Sequence, residues 1–107
     1  MNEEKVFDFA VVGVTFDNRQ EYLQELYSDM ISNNIKSFPI DLIPEPENQY
    51  DPNAIAVVLK NGNNIGYVSK DFNEEIKEIL DKITSSEIIQ VYMNKKRIFN
   101  ALVRIKY

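Results

Sequence analysis

A rigid loop that runs straight into an apolar strand constrains this chain more than anything else in it. Residues 44–53, Pro44-Glu45-Pro46-Glu47-Asn48-Gln49-Tyr50-Asp51-Pro52-Asn53, are dense in prolines, amides and carboxylates. Proline fixes φ, and Asn and Asp bond their own backbone, so such a segment holds one shape. It leads into Ala54-Ile55-Ala56-Val57-Val58-Leu59-Lys60, an apolar run of strand length, and then into Asn61-Gly62-Asn63-Asn64. Gly and Asn accept positive φ, which makes that tetrapeptide a hairpin turn and Ile65-Gly66-Tyr67-Val68 the returning strand. A chain with this centre is built on an antiparallel sheet. Its rigid loop is where binding groups sit.

The flanking segments add strands and two helices. Val6 to Val14 is nearly all apolar, the pattern of a strand buried on both faces, with Gly13 marking a bulge or a close backbone approach. Asp17 or Asn18 is placed to cap a helix over residues 19–32, where Tyr22, Leu23, Leu26, Tyr27, Met30 and Ile31 recur at helical spacing. Residues 35–43 alternate and contain Pro39, which suits an edge strand. Ser69 or Asp71 caps a second helix, with Glu74 in capping-box register after Asp71 and Phe72, Ile76, Ile79, Leu80 and Ile83 on its core face. Residues 87–93 and 97–107 alternate about an Asn94–Arg97 turn, and the last strand puts Phe99, Ala101, Val103, Ile105 and Tyr107 on one side. The order is β-α-β-β-β-α-β-β, an α+β chain that is mainly β. Strands joined by short turns pair antiparallel, so about six of them curl into a small OB-like barrel whose openings the two helices close.

A chain of 107 residues is long enough for one core and too short for two, which makes residues 1–107 a single domain. It has no cysteine and no histidine. Thiol chemistry, a disulfide framework and a histidine general base are therefore excluded, and a zinc site nearly so. The polar, acidic start and the lack of any apolar run of spanning length point to a cytoplasmic protein with no membrane partner. Glu45, Glu47 and Asp51 raise the question of a metal-dependent nuclease, but Val58-Leu59-Lys60 lacks the carboxylate two before the lysine that such sites use. No nucleophile motif or glycine-rich phosphate loop is present either. The chain is read as non-catalytic and without a cofactor.

Its net charge of −5 conceals an asymmetry: Lys95, Lys96, Arg97, Arg104 and Lys106 are followed or preceded by no acid within residues 95–107. Subtracting those five from twelve leaves seven cations against seventeen carboxylates in the rest. An acidic chain is a poor non-specific nucleic-acid binder. Lys95-Lys96-Arg97 alone reads as a solvated hairpin tip.

Three segments carry a family resemblance. Gly13-Val14-Thr15-Phe16-Asp17-Asn18-Arg19-Gln20, Glu45 through Val57, and Ile65-Gly66-Tyr67-Val68-Ser69-Lys70 resemble, in order and spacing, the HIRAN domain. The resemblance covers roughly residues 6–107 and implies a small β-barrel module with two helices. Such modules occur fused to fork-remodelling helicase-like proteins and as free-standing bacterial or phage proteins. The best understood ones capture the 3′ end of single-stranded DNA. By resemblance, then, the partner is a single-stranded DNA end in repair, replication or recombination, alongside a protein of helicase or nuclease type.

The same resemblance assigns residues. Tyr50 matches an aromatic that packs on the terminal base, Asp51 a carboxylate that accepts from the 3′-hydroxyl, and Asn48 a polar contact beside it. Lys70 matches a phosphate-contacting cation, Tyr67 stands where DNA-binding members carry a histidine, and Phe99 corresponds to an aromatic lining the pocket. Arg19 is the nearest match to the arginine that follows the first strand in those members.

Residue chemistry keeps a second role open for each of them. Tyr50 is either a stacking platform or a core plug with its hydroxyl bonded to the loop. Asp51 serves equally as an Asx-turn residue. Arg19 contacts phosphate or pairs with Glu45, Glu47 or Asp51, and Lys70 sits near a helix start that favours anions. Tyr67 also reads as a half-buried packing residue and Phe99 as core. The alternative function is an acidic protein-interaction or regulatory module on the same fold, working through Glu21, Glu25, Asp29, Glu74, Glu75 and Glu78. A third possibility is a subunit that joins a larger assembly through the edges of its two long terminal strands.

Overall fold

The Asn61–Asn64 turn closes as a hairpin: Gly62 N–H donates to Leu59 O at 2.9 Å, and Asn61 Oδ1 accepts from Asn63 N–H at 3.0 Å. In the computed structural model, which describes residues 3–107, this turn joins two of six strands. The elements in chain order are β1 (Val6–Ala10), α1 (Arg19–Ser32), β2 (Phe38–Pro44), β3 (Ile55–Leu59), β4 (Asn64–Tyr67), α2 (Asn73–Ile79), a 3-10 turn (Leu80–Lys82), β5 (Ser85–Met93) and β6 (Phe99–Lys106). All pairings are antiparallel in the order β1-β6-β5-β2-β3-β4. The sheet curls into a half-barrel, and a two-way backbone bridge between Val12 and Tyr67, both bonds 2.9 Å, ties its two ends together.

The core follows the sequence pattern where strands are central. Ile55, Val57 and Ile65 on one limb, and Ala101, Val103 and Ile105 on alternate positions of β6, lose essentially all contact with water. Leu23 and Leu26 of α1 and Ile76 of α2 are buried with them. Burying one such aliphatic side chain contributes about 1.5–3 kcal/mol.

Several expectations shift. β1 stops at Ala10 and buries Phe9 while leaving Val6 exposed, because it is an edge strand paired only to β6 and has one face on the core. Gly13, at φ +70°, turns the chain away from the sheet soon after. Pro39 does not lie on an edge strand. β2 is central, pairing β5 at Phe38 and Pro39 and β3 from Ile40 to Pro44, so the proline falls where the strand changes neighbours. The long strands β5 and β6 are likewise interior and offer no edge to a second chain. Ile31 points to solvent beyond the apolar stripe of α1.

Neither helix is capped as the sequence suggests. Asn18 precedes α1 without a side-chain cap, and Asp17 takes φ +52° instead. At α2 the Asp71–Glu74 box is not formed. The helix begins at Asn73 after Phe72, and Ser69 Oγ accepts from Asp71 N–H at 3.2 Å to shape the turn before it.

β1 and β6 are also clamped by charge. Arg104 donates through Nε to Asp8 Oδ1 at 2.8 Å and through Nη2 to Oδ2 at 2.9 Å. Hydrogen bonding from Arg104 holds the Asp8 carboxyl below its ordinary range, against an opposing effect of burial. A carboxyl depressed in the folded state adds stability above its unfolded pKa, and that contribution disappears as pH falls through the folded value. Asp8→Asn is therefore expected to lose stability at neutral pH and to flatten the decline in Tm on acidification below about pH 4. The effect is modest because the pair is partly exposed. Parallel Tm–pH curves for the two proteins would refute it.

Candidate nucleic-acid interface

The closure between Val12 and Tyr67 leaves a groove of about 790 Å³, its walls formed by the segments on either side of the seam. Val12, Phe16, Asp17 and Arg19 line one side, and Asn48, Tyr50, Asp51, Ala54, Tyr67, Val68 and Lys70 the rest.

The rigid loop is built largely by Asn48. Its Oδ1 accepts from Tyr50 N–H at 2.9 Å and Asp51 N–H at 3.1 Å, while its Nδ2 donates to Glu45 Oε1 at 3.0 Å. Asp51 then closes an Asx turn, Oδ1 accepting from Asn53 N–H at 2.9 Å, and anchors the loop to α2 through Asn73 Nδ2 at 2.8 Å on Oδ2. Asn73 is buried, so this bond satisfies an amide that water cannot reach. What the loop does with its central ring is decisive. Tyr50 is 90% exposed, held out into solvent rather than plugged into the core.

On the opposite wall Arg19 is buried to nine-tenths. It donates through Nη1 to Gly13 O at 2.6 Å and lies 3.7 Å from Asp17, so its partners are in its own loop rather than Glu45, Glu47 or Asp51. Its guanidinium carbon stands 5.3 Å from the Tyr67 ring centre and 6.0 Å from that of Phe16, within cation–π range. The Arg19 Nε is buried with no hydrogen-bond partner among the described residues. Tyr67 donates its hydroxyl to Glu45 Oε1 at 2.8 Å, and burial first, then that carboxylate, hold its phenol above the ordinary tyrosine value. It is a protonated donor at any physiological pH. Lys70 makes no hydrogen bond or ion pair among the described residues.

Six of the seven candidate residues thus come together. Phe99 does not: its ring lies 5.3 Å from that of Tyr27, and its backbone is bonded to Gln20. Phe16 is the residue the sequence reading left out, a 64% exposed ring on the groove wall. Its signal was an isolated aromatic in the polar stretch Asp17-Asn18-Arg19-Gln20. Two exposed rings, two cations and two carboxylates line one groove. That set can stack a planar group and hold a hydroxyl or an anion beside it. Among the described residues no three carboxylates cluster as a metal site.

Comparison with known proteins bears on the fold and the family. A search of curated proteins found no match. Among solved structures the fold is similar to the crystal structure of the HIRAN domain of human HLTF, with a TM-score of 0.62 and 20% identity over 94% of this chain and 73% of that one. It is also similar to a protein from Lactobacillus plantarum, with a TM-score of 0.53 and 19% identity over 97% and 98% of the two chains. The family model of the HIRAN domain matches residues 5–106. With nearly its whole length matched, the chain belongs to the HIRAN domain family.

Proposed function

We propose that this chain is a non-catalytic module, acting as one unit, that seats the 3′ end of a single-stranded DNA in the groove beside Tyr50. The family is known for DNA binding. The observation that carries the reading is the Tyr50 ring, 90% exposed on a loop whose backbone Asn48 and Asp51 lock in place. A base stacks on such a ring without reorganising the loop, which contributes about 1–3 kcal/mol whatever the base. Each Asp51 oxygen spends one acceptor site on the loop or on Asn73, which leaves a lone pair for the hydroxyl of the terminal sugar. Lys70 meets the adjoining phosphate.

A 3′-phosphate would set negative charge against Asp51 and remove the donated proton. A short oligonucleotide ending in a 3′-hydroxyl is therefore expected to bind about tenfold or more tighter than the same strand with a 3′-phosphate, since a hydrogen bond to a charged group is worth about 1.5–3 kcal/mol. Fluorescence anisotropy at low salt measures it. Equal affinity, or no binding of either strand, overturns the reading.

One observation favours a second reading. The outer face of α1 carries Glu21, Glu25 and Asp29, none of them in an ion pair among the described residues, and the charged groups of the groove cancel. A basic protein partner on that face would be captured equally well by the Tyr50→Ala variant, and such capture by a chain that binds neither DNA strand would replace the DNA reading.

A further inference from the structure

We propose that the β5–β6 hairpin tip, Lys95-Lys96-Arg97, is a second contact for the bound strand, meeting phosphates beyond the nucleotide seated in the groove. This rests on the groove reading above and extends it from an end pocket to a track of defined direction.

The groove itself is poorly equipped to hold a polyanion. Arg19 and Lys70 are balanced by Asp17 and Asp51, and the Arg19 guanidinium is already engaged with Gly13 and Asp17. Non-specific phosphate affinity grows with the number of cations that meet the backbone, so the charge must come from elsewhere. The tip is the densest cationic run of the chain. All three side chains are exposed, and among the described residues none enters an ion pair, so they are not there to neutralise the acids of α1.

The tip is also ordered. Asn94 Oδ1 accepts from Lys96 N–H at 2.8 Å and Ile98 N–H at 3.0 Å, and Arg97 takes φ +62° to complete the turn. Cations on a fixed turn lose less freedom on meeting a ligand than cations on a mobile loop.

Topology places this tip at the end of the sheet from which the groove-wall segment departs. β1 runs antiparallel to β6, and Val11 N–H donates to Ala101 O, so residues 11–18 leave the sheet at the end where β6 begins. Gln20 then fastens the two together: its Nε2 donates at 2.9 Å to both Val14 O and Phe99 O, and its Oε1 accepts from Phe99 N–H at 2.8 Å. Phe16 and Asp17, on the groove wall, lie between the two residues of that clamp in sequence, Val14 and Gln20. Lys96 is three residues before Phe99, at most about 10 Å of chain away. Along α1 the exposed Glu21 and Glu25 repel phosphate, which leaves the tip as the favoured way out for the strand.

The test compares 3′-hydroxyl oligothymidylates of about four and about twelve nucleotides, a short and a long choice within the roughly 4–16 nucleotide site sizes of small β-barrel modules. The wild-type chain is expected to bind the longer strand about tenfold tighter. The slope of log K against log salt should also be steeper by about two for the longer strand, since each phosphate met on single-stranded DNA contributes roughly 0.7. In the double variant Lys95→Glu, Lys96→Glu the affinity ratio of long to short should fall towards one. A wild-type ratio near one, or a variant that keeps the wild-type ratio, overturns the track while leaving the end pocket standing. Failure of the wild-type chain to bind the short strand overturns the groove reading, and this extension with it. Circular dichroism melts of the variant confirm that the exposed turn stays folded.

Discussion

Tyr50→Ala is expected to reduce affinity for a short single-stranded DNA by about 5- to 150-fold, the equivalent of roughly 1–3 kcal/mol of base stacking, with no measurable change in Tm. The two halves of this expectation come from one fact. A ring that is 90% exposed contributes almost nothing to the core, so removing it lies in the class of surface substitutions that change stability by less than about 0.5 kcal/mol. On the proposed function, its value lies in the base it contacts when DNA arrives. Anisotropy titrations paired with thermal melts read the two effects separately. A variant that binds as the wild type does removes Tyr50 from the interface. A variant that melts early shows instead that the ring supports the loop. Tyr50→Phe should retain most of the binding, because the phenol hydroxyl makes no bond among the described residues and the stacking face is unchanged.

Gly66→Ala is expected to damage the fold severely. Gly66 takes φ +146°, a conformation that side chains rarely adopt, and a methyl group there would overlap Val11 Cγ1 and the Val12 carbonyl oxygen. That oxygen accepts the Tyr67 N–H bond that closes the half-barrel, so the overlap falls on the seam. Backbone strain of about 1–3 kcal/mol and overpacking of a similar size add here. A loss of about 3 kcal/mol would lower Tm on the order of 15 °C for a domain of this length. Gly62→Ala is the control. It too has positive φ, at +95°, but nothing lies within 4 Å of the added methyl, so only strain remains and the expected loss is about 1–2 kcal/mol. Equal melting of the two variants would show that the Val12–Tyr67 closure is not a tight packing point. Because Val12 and Tyr67 both line the groove, Gly66→Ala should also weaken DNA binding, whereas Gly62→Ala should not.

Much of the fold is legible in the sequence, for local reasons. The Asn61-Gly62 turn, the Asn94 turn and the alternation of Ala101, Val103 and Ile105 depend on neighbours within a few residues, and all appear in place. The helix starts were less legible. Capping competes with tertiary contacts, and the residues around Asn18 were drawn instead into the turn that lets Arg19 reach Gly13. Pro39 was misread as an edge marker for a related reason: a proline reports a missing N–H, while strand order decides which side of the strand that gap faces.

The site divides the same way. The rigid loop, its Asx turn at Asp51 and its match to the HIRAN pattern are properties of consecutive residues, and the sequence by itself determined them. Only the tertiary structure decided that Tyr50 stands in water, that Asp51 is tied to Asn73 across 22 positions, that Phe16 joins the groove, and that Phe99 packs on Tyr27 instead. Exposure and long-range pairing depend on how the sheet curls until Val12 meets Tyr67. That closure joins segments more than fifty residues apart, and no local pattern of side chains encodes what will face them once it forms.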